Sequence, residues 1–344
     1  MNLKERIKAF DQLGTELESQ LAKAGDDGMH PLNDLLIRAY HQNGWFSERF
    51  TKDAIAHNAD LLNEEKLEQW TAEYSDMLNY NGDRVVGTIM AGNIPMVGFH
   101  DWLSILIAGH SFAGKLSHKD KLLLPYLSEL LIEIEPRFRE RIHFTADRLP
   151  QIDAIIATGS DNSARYFEHY FGKYPNIIRK NRNSVAVLEG DETKEELERL
   201  GRDIFQYYGL GCRNISKIYA PEGFNFDEFF ESIVDFGFVQ QNTKYMNNYE
   251  YNRTIYLLNK EEGLLDNNFL ILKRNEGALS SPVGVLYYDF YNDKEKVEKE
   301  IKQKSESIQC VVGKEGINFG ETQIPKLWEY ADNVNTLKFL VTLL

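Results

Sequence analysis

The sequence predicts an α/β fold, and three features carry that expectation. From Arg84 onward, short apolar β-rich runs alternate with helical patterns. The residues before Arg84 read as helices, and a second set of alternating strands and helices begins near residue 195. Strands that alternate with helices form a mainly parallel sheet covered on both faces.

Residues 1–80 carry Leu13, Leu17 and Leu21 at helical spacing, continued by Leu35, Leu36, Ala39 and Tyr40 after Pro31. Turns are expected at 25–28 and at Asn81-Gly82. The aromatic residues Tyr40, Trp45, Phe46 and Phe50 read as packing. Val85-Val86-Gly87-Thr88-Ile89-Met90 is the first strand and ends at Ala91-Gly92-Asn93-Ile94-Pro95. A helix over 96–108, a strand over 111–116 and a helix over 122–134 follow. Residues 152–157 form a strand leading into Thr158-Gly159-Ser160, with a helix over 162–171 beyond and a short strand over 184–188. Ligands of such sheets bind at the carboxyl ends of strands, where Asn93, Gly159 and Ser160 fall.

A helix over 192–208 runs up to Cys212. Strands are expected over 215–220, 269–273, 283–288 and 308–312, with helices over 225–236 and 293–302. The segment 326–344 concentrates Trp328, Tyr330, Leu337, Phe339, Leu340, Leu343 and Leu344, apolar surface that docks on the first domain or on a partner subunit. The division expected is 1–80 helical, 81–194 cofactor-binding, 195–315 catalytic, and 316–344 returning to the cofactor domain or an oligomer interface.

The 344 residues suffice for about two domains. A net charge of −14 disfavours nucleic acid and anionic membranes as partners. No uninterrupted apolar run approaches the ~18 residues of a membrane span. The charged N-terminus is unlike a signal segment, and two cysteines offer neither a disulfide framework nor metal-ligand spacing, so a reducing cytoplasm is the expected location. His100, His110 and His118 show no metal spacing, and no metal is assigned.

Cys212 lies in Tyr208-Gly209-Leu210-Gly211-Cys212-Arg213-Asn214, whereas Cys310 sits in the apolar run Ile308-Gln309-Cys310-Val311-Val312. A cysteine at a glycine-flanked turn is open to solvent and backbone N–H groups, which favours the nucleophilic thiolate. Its residue type alone also fits a small core residue. Asn93 before Ile94-Pro95 fits either a turn or a site. Lys115 fits a surface lysine or a ligand group, Gly159-Ser160 a helix cap or a phosphate turn, and the cluster Arg179, Lys180, Arg182 a solvated loop or a phosphate site.

Taken in order, Asn93-Ile94-Pro95, a long helix, a short strand ending in Gly114-Lys115-Leu116-Ser117-His118, the Thr158-Gly159-Ser160 turn and Cys212 resemble the aldehyde dehydrogenase superfamily. The resemblance implies a Rossmann-like cofactor domain and an α/β catalytic domain. Met90-Ala91-Gly92-Asn93-Ile94-Pro95, Arg182-Asn183-Ser184-Val185-Ala186-Val187-Leu188, the Cys212 segment, Phe319-Gly320-Glu321-Thr322-Gln323-Ile324-Pro325-Lys326-Leu327-Trp328 and Tyr330–Leu337 resemble the LuxC-type fatty acyl-CoA reductases over residues 80–344. That resemblance implies Cys212 as nucleophile and Asn93 as oxyanion donor. It implies Lys115, Ser117, His118, Gly159 and Ser160 as cofactor contacts.

The departures from ordinary aldehyde dehydrogenases carry as much weight. The Glu-Leu-Gly-Gly segment, which supplies the hydrolytic base, corresponds to Lys180-Asn181-Arg182-Asn183-Ser184-Val185-Ala186, which has no carboxylate. An acyl thioester on Cys212 would then persist to meet another thiol or a hydride. The glutamate of a Glu-x-Phe-Gly-Pro motif is missing from Ala278–Val283, and Glu276 is out of register. His118 stands where a glutamate would hold an NAD ribose, which makes room for a 2′-phosphate and points to NADPH. The expected activity is reduction of a fatty acyl thioester, acyl-CoA or acyl-protein, to its aldehyde. An acyl transferase or thioesterase using the same cysteine without hydride, or a binding scaffold, are the alternatives. The resemblance also implies a homo-oligomer and a partner enzyme of a fatty acid reductase system.

Overall fold

A computed structural model of the chain describes residues 1–79 and 82–344. Asn81 of the expected Asn81-Gly82 turn lies outside the described residues. The chain forms two compact units, Met1–Lys180 with Lys326–Leu344, and Asn181–Pro325. The division falls at Lys180 rather than near 194, because the strand following it pairs in the second sheet.

The first unit opens with five helices: α1 (Leu3–Asp26), α2 (Pro31–Gln42), α3 (Glu48–Leu61), α4 (Glu64–Thr71) and α5 (Ser75–Leu78). Asn2 and Glu5 close α1 with a capping box, and Leu13 and Leu17 are buried. Phe46 and Phe50 are core residues as expected, whereas Tyr40 is exposed. The sheet then alternates with helices as β1 (Val85–Ile89), α6 (Phe99–Ile107), β2 (Ser111–Lys115), α7 (Leu123–Ile134), β3 (Ile142–Thr145), β4 (Ala154–Thr158), α8 (Asp161–Phe171) and β5 (Asn176–Arg179). The strand order is β3-β2-β1-β4-β5, all parallel, the doubly wound arrangement of dinucleotide-binding sheets. β1, β2 and β4 are central and almost wholly buried, hence their apolar sequences.

Three differences from the sequence expectations have physical causes. α6 begins at Phe99 rather than 96, because Met96 adopts the left-handed conformation (φ 57°). The edge strands β3 and β5 were not anticipated. Arg179 belongs to neither a solvated loop nor a phosphate site: it is buried at the end of β5 and grips Asp101 of α6 bidentately at 2.7 and 2.9 Å.

The second unit runs β6 (Asn183–Val187), α9 (Lys194–Phe205), β7 (Ile215–Pro221), α10 (Phe226–Ser232), α11 (Thr243–Leu258), β8 (Leu265–Asp266), β9 (Ile271–Arg274), β10 (Val285–Tyr291), α12 (Lys294–Gln303) and β11 (Ile308–Val312). Its sheet has the order β11-β6-β7-β10-β9-β8, parallel except for the β8–β9 pair. Val185, Val187, Tyr219, Val297 and Ile308 form one core cluster. α9 ends at Phe205 instead of continuing to 208: Tyr207 and Tyr208 both take left-handed dihedrals (φ 52° and 58°), costing roughly 1–2 kcal/mol each. Both rings are buried, which offsets that cost.

The terminal segment belongs to the first unit, where α13 (Thr336–Val341) packs on α6 with Leu337 and Leu340 fully buried. Thr336 Oγ1 accepts from Arg179 at 3.1 Å, so the buried ion pair also holds the tail. Trp328, Val334 and Leu344 stay exposed. Among the described residues no helix is long and apolar enough to cross a membrane.

Candidate active site

In the second unit Cys212 occupies the loop between α9 and β7. The sulfur-bearing residue is exposed, while Cys310 is buried in β11. The loop is fixed from beneath by two polar side chains. Asn214, buried, accepts from the Gly211 N–H at 2.8 Å and donates to the Asp203 and Gln206 carbonyls at 2.9 Å each. This satisfies carbonyls left open where α9 breaks off. Ser184 of β6, fully buried, donates its hydroxyl to the Cys212 carbonyl at 2.9 Å and accepts the Cys310 N–H at 3.1 Å.

The sheet is irregular on both sides of Ser184. On β7 the register shifts between Ser184 and Val185, and on β11 between Ile308 and Val311. Two bulges at one level re-aim the backbone, a device common beside functional sites. They let one serine hydroxyl bridge the Cys212 loop and β11. Arg213 reaches from the same loop to Cys310 Sγ at 3.4 Å. At the end of α9, the buried Asp203 carboxylate accepts from Gly320 N–H, Thr322 N–H and Thr322 Oγ1 at 2.6, 3.0 and 2.8 Å. Burial pushes its pKa up against those donors.

The other six expected residues lie in the first unit, at one edge of its sheet. Asn93 follows β1, Lys115 ends β2, and Gly159-Ser160 follows β4; β1 lies between β2 and β4, with Ile89 level with both Lys115 and Ala157. Asn93 is exposed on its loop. Lys115 is half-buried, and among the described residues its ammonium has no hydrogen-bond or ion-pair partner. A half-buried cation without a partner at a strand's carboxyl end suits an anionic ligand. His118 and Lys119 are exposed beside it. Ser117 supports the turn instead, accepting the Lys119 N–H at 3.2 Å and packing on Gly92, where a Cβ would stand 2.5 Å from its oxygen.

Ser160 caps α8, accepting the Ser163 N–H at 3.3 Å. A Cβ on Gly159 would lie 2.9 Å from Ser163 and Phe167, so this glycine lets the helix start close against the strand. The exposed start of α8 and the half-buried Lys115 lie at the same edge of the sheet, two strands apart, each of a kind that suits a phosphate group. Among the described residues no group of His, Cys, Asp or Glu could hold a metal.

Three site residues were not foreseen in the sequence. Asp120, buried at the start of α7, accepts the Met96 N–H at 3.0 Å. Asn43 donates to the Gly92 carbonyl at 3.1 Å, and Gln42 to the His118 carbonyl at 3.1 Å. An Asp that opens a helix signals a cap in the sequence; the long-range bonds of all three carry no local signal.

No family model and no curated protein sequence matches the chain. Solved structures do. Aldehyde dehydrogenase 21 from Physcomitrella patens, in complex with succinate, is 15% identical with a TM-score of 0.64 over 92% of this chain and 74% of its own. An NAD+ complex of aldehyde dehydrogenase from Bacillus cereus is 15% identical, with a TM-score of 0.62 over 91% and 72%. An NADP-dependent enzyme of E. coli is 14% identical, with a TM-score of 0.61 over 91% and 73%. The fold is therefore aldehyde-dehydrogenase-like.

Proposed function

We propose that the protein is a nicotinamide-dependent oxidoreductase of the aldehyde dehydrogenase type, and more specifically that it reduces a fatty acyl thioester, as acyl-CoA, to the aldehyde. The observation that carries this reading is the Cys212 loop: an exposed cysteine whose backbone carbonyl is held by Ser184, in a chain whose stretch Lys180–Ala186, the counterpart of the Glu-Leu-Gly-Gly segment by resemblance, has no carboxylate. Structural neighbours that bind NAD+ or depend on NADP support the nicotinamide half of the reading.

The Cys212 thiolate attacks the thioester carbonyl carbon, forming a C–S bond and placing charge on oxygen. The resemblance implies the Asn93 amide and the Cys212 N–H as donors for that oxyanion; one such donor is typically worth ~10²–10³ in rate. Collapse breaks the bond to CoA, whose thiolate takes up a proton and leaves an acyl-cysteine. A reduced nicotinamide, when bound, would supply a hydride to the acyl carbon and be left oxidised. The resulting oxyanion re-forms a carbonyl as the C–S bond breaks, releasing aldehyde and the Cys212 thiolate. Lys115 and His118 would hold the adenosine ribose and its 2′-phosphate, and the start of α8 would face the pyrophosphate. The stretch Lys180–Ala186 offers no carboxylate to activate water against an acyl-cysteine.

A homo-oligomer in the cytoplasm, working beside an enzyme that supplies acyl groups, completes the reading. The test is NADPH oxidation with a long-chain acyl-CoA, followed by loss of nicotinamide absorbance and by aldehyde formed. Stoichiometric aldehyde supports the reading. Thioester cleavage with NADPH untouched would instead make the protein a transferase or thioesterase.

A further inference from the structure

The loop that carries Asn93 is secured at both ends, and one of its anchors is an uncommon choice of residue. At its start, Gly92 packs against Ser117 so closely that a side chain would collide, and the Gly92 carbonyl accepts from Asn43. At its end, the chain turns through Met96 in the left-handed conformation, with the Met96 side chain buried. Such a conformation costs a non-glycine residue roughly 1–2 kcal/mol and persists only where neighbours hold it.

The neighbour here is Asp120, whose Oδ2 accepts the Met96 N–H at 3.0 Å while Oδ1 accepts the Leu123 N–H at 3.5 Å in the first turn of α7. Asp120 is 9% exposed, and among the described residues it is in no ion pair. Burial raises its pKa to about 6. A serine would offer the Leu123 N–H an acceptor without burying a charge. What the longer carboxylate adds is its reach to Met96.

The same short segment, 117–120, is tied to α2 through Gln42, which donates to the His118 carbonyl and accepts from the Lys121 N–H. The cofactor loop after β2 and the Asn93 loop after β1 therefore share one scaffold.

The geometry points to Asp120 as a positioning residue that fixes the Met96 end of the Asn93 loop and so sets where the Asn93 amide sits. This rests on the thioester reductase reading given above.

The experiment compares wild type, Asp120→Ser, Asp120→Asn, Asn93→Ala and the Asn93→Ala/Asp120→Ser double variant of the full chain. Serine keeps a hydroxyl acceptor before α7 but falls short of Met96; asparagine keeps an acceptor oxygen at the same reach. Expected for Asp120→Ser is a kcat about 10²-fold lower, near the loss of one oxyanion donor, with KM for NADPH unchanged. Asparagine should restore kcat, and the double variant should be no slower than Asn93→Ala. Hydrogen exchange at the Met96 amide should be slow in wild type and Asp120→Asn and fast in Asp120→Ser. An Asp120→Ser enzyme with unchanged kcat, a loss confined to the KM for NADPH, or multiplicative losses in the double variant would overturn the assignment. If wild type does not turn over acyl-CoA, the reductase reading fails by itself. Met96 exchange then decides the anchor: protection that survives Asp120→Ser rejects it, and protection lost only in that variant upholds it.

Discussion

The Cys212 loop and the carboxyl edge of the first sheet are built on opposite principles. Around Cys212 the polar groups are consumed within the chain: Asn214 closes the broken end of α9, and Ser184 joins the backbones of Cys212 and Cys310. At the first sheet's edge, Lys115 has no partner among the described residues and sits beside the exposed His118 and Lys119. On the proposed reading the former would be preorganised for chemistry, since an immobile donor needs no rearrangement when charge develops. The latter has one half-buried ammonium, Lys115, with no partner among the described residues, which on the proposed reading a charged ligand would supply. The contrast teaches that reaction and binding can be perturbed separately.

The largest effect should come from Cys212→Ser. Aldehyde formation falls to background, while thermal stability stays within about 0.5 kcal/mol of wild type, because the residue is exposed. Retained activity would break the comparison by removing chemistry from that loop.

The second effect is on stability and concerns the scaffold of the Asn93 loop. Burial raises the folded pKa of Asp120 from 3.8 to about 6. The folded state therefore binds an extra proton between those values. The stability this contributes is complete below pH 3.8 and is lost as the pH rises through about 6. Asp120→Asn lacks this dependence, so its stability relative to wild type should rise by roughly 3 kcal/mol between about pH 4 and 7. Urea unfolding across that range checks the sign.

Much of this was legible in the sequence. β1, β2 and β4 announce themselves because central parallel strands are buried on both faces and read as unbroken apolar runs. The edge strands β3 and β5 do not: Ile142-His143-Phe144-Thr145 and Asn176-Ile177-Ile178-Arg179 are short and only partly buried. α11 escaped notice because Tyr245, Tyr249, Asn252 and Tyr256 form its buried face while Tyr251, Ile255, Leu257 and Leu258 are exposed, which erases the amphipathic signal. The kink at Tyr207-Tyr208 runs against the preference of tyrosine for right-handed dihedrals and depends on burial of both rings. Cys212, Asn93 and Lys115 stood out as residue types at turns. Asp120, Asn43 and Ser184 matter through backbone groups distant in sequence, and no local pattern encodes that.

Smaller changes sharpen the contrast. Ser184→Ala leaves the buried Cys310 N–H without its acceptor and should cost about 1–3 kcal/mol in stability. It should lower kcat with KM for NADPH unchanged. Lys115→Ala should do the reverse, raising KM for NADPH about tenfold, the equivalent of ~1.4 kcal/mol, with kcat and thermal stability held. Steady-state kinetics with NADPH varied at saturating acyl-CoA separates the two patterns. His118→Glu should shift preference toward NADH by a smaller factor.

The most direct test of the account is the intact mass of the protein after incubation with acyl-CoA in the absence of NADPH, followed by peptide mapping. The account predicts a single acyl adduct on the Cys212 peptide, stable in water and discharged as aldehyde when NADPH is added. An adduct on Cys310, no adduct at all, or one released as the free acid without NADPH would contradict it.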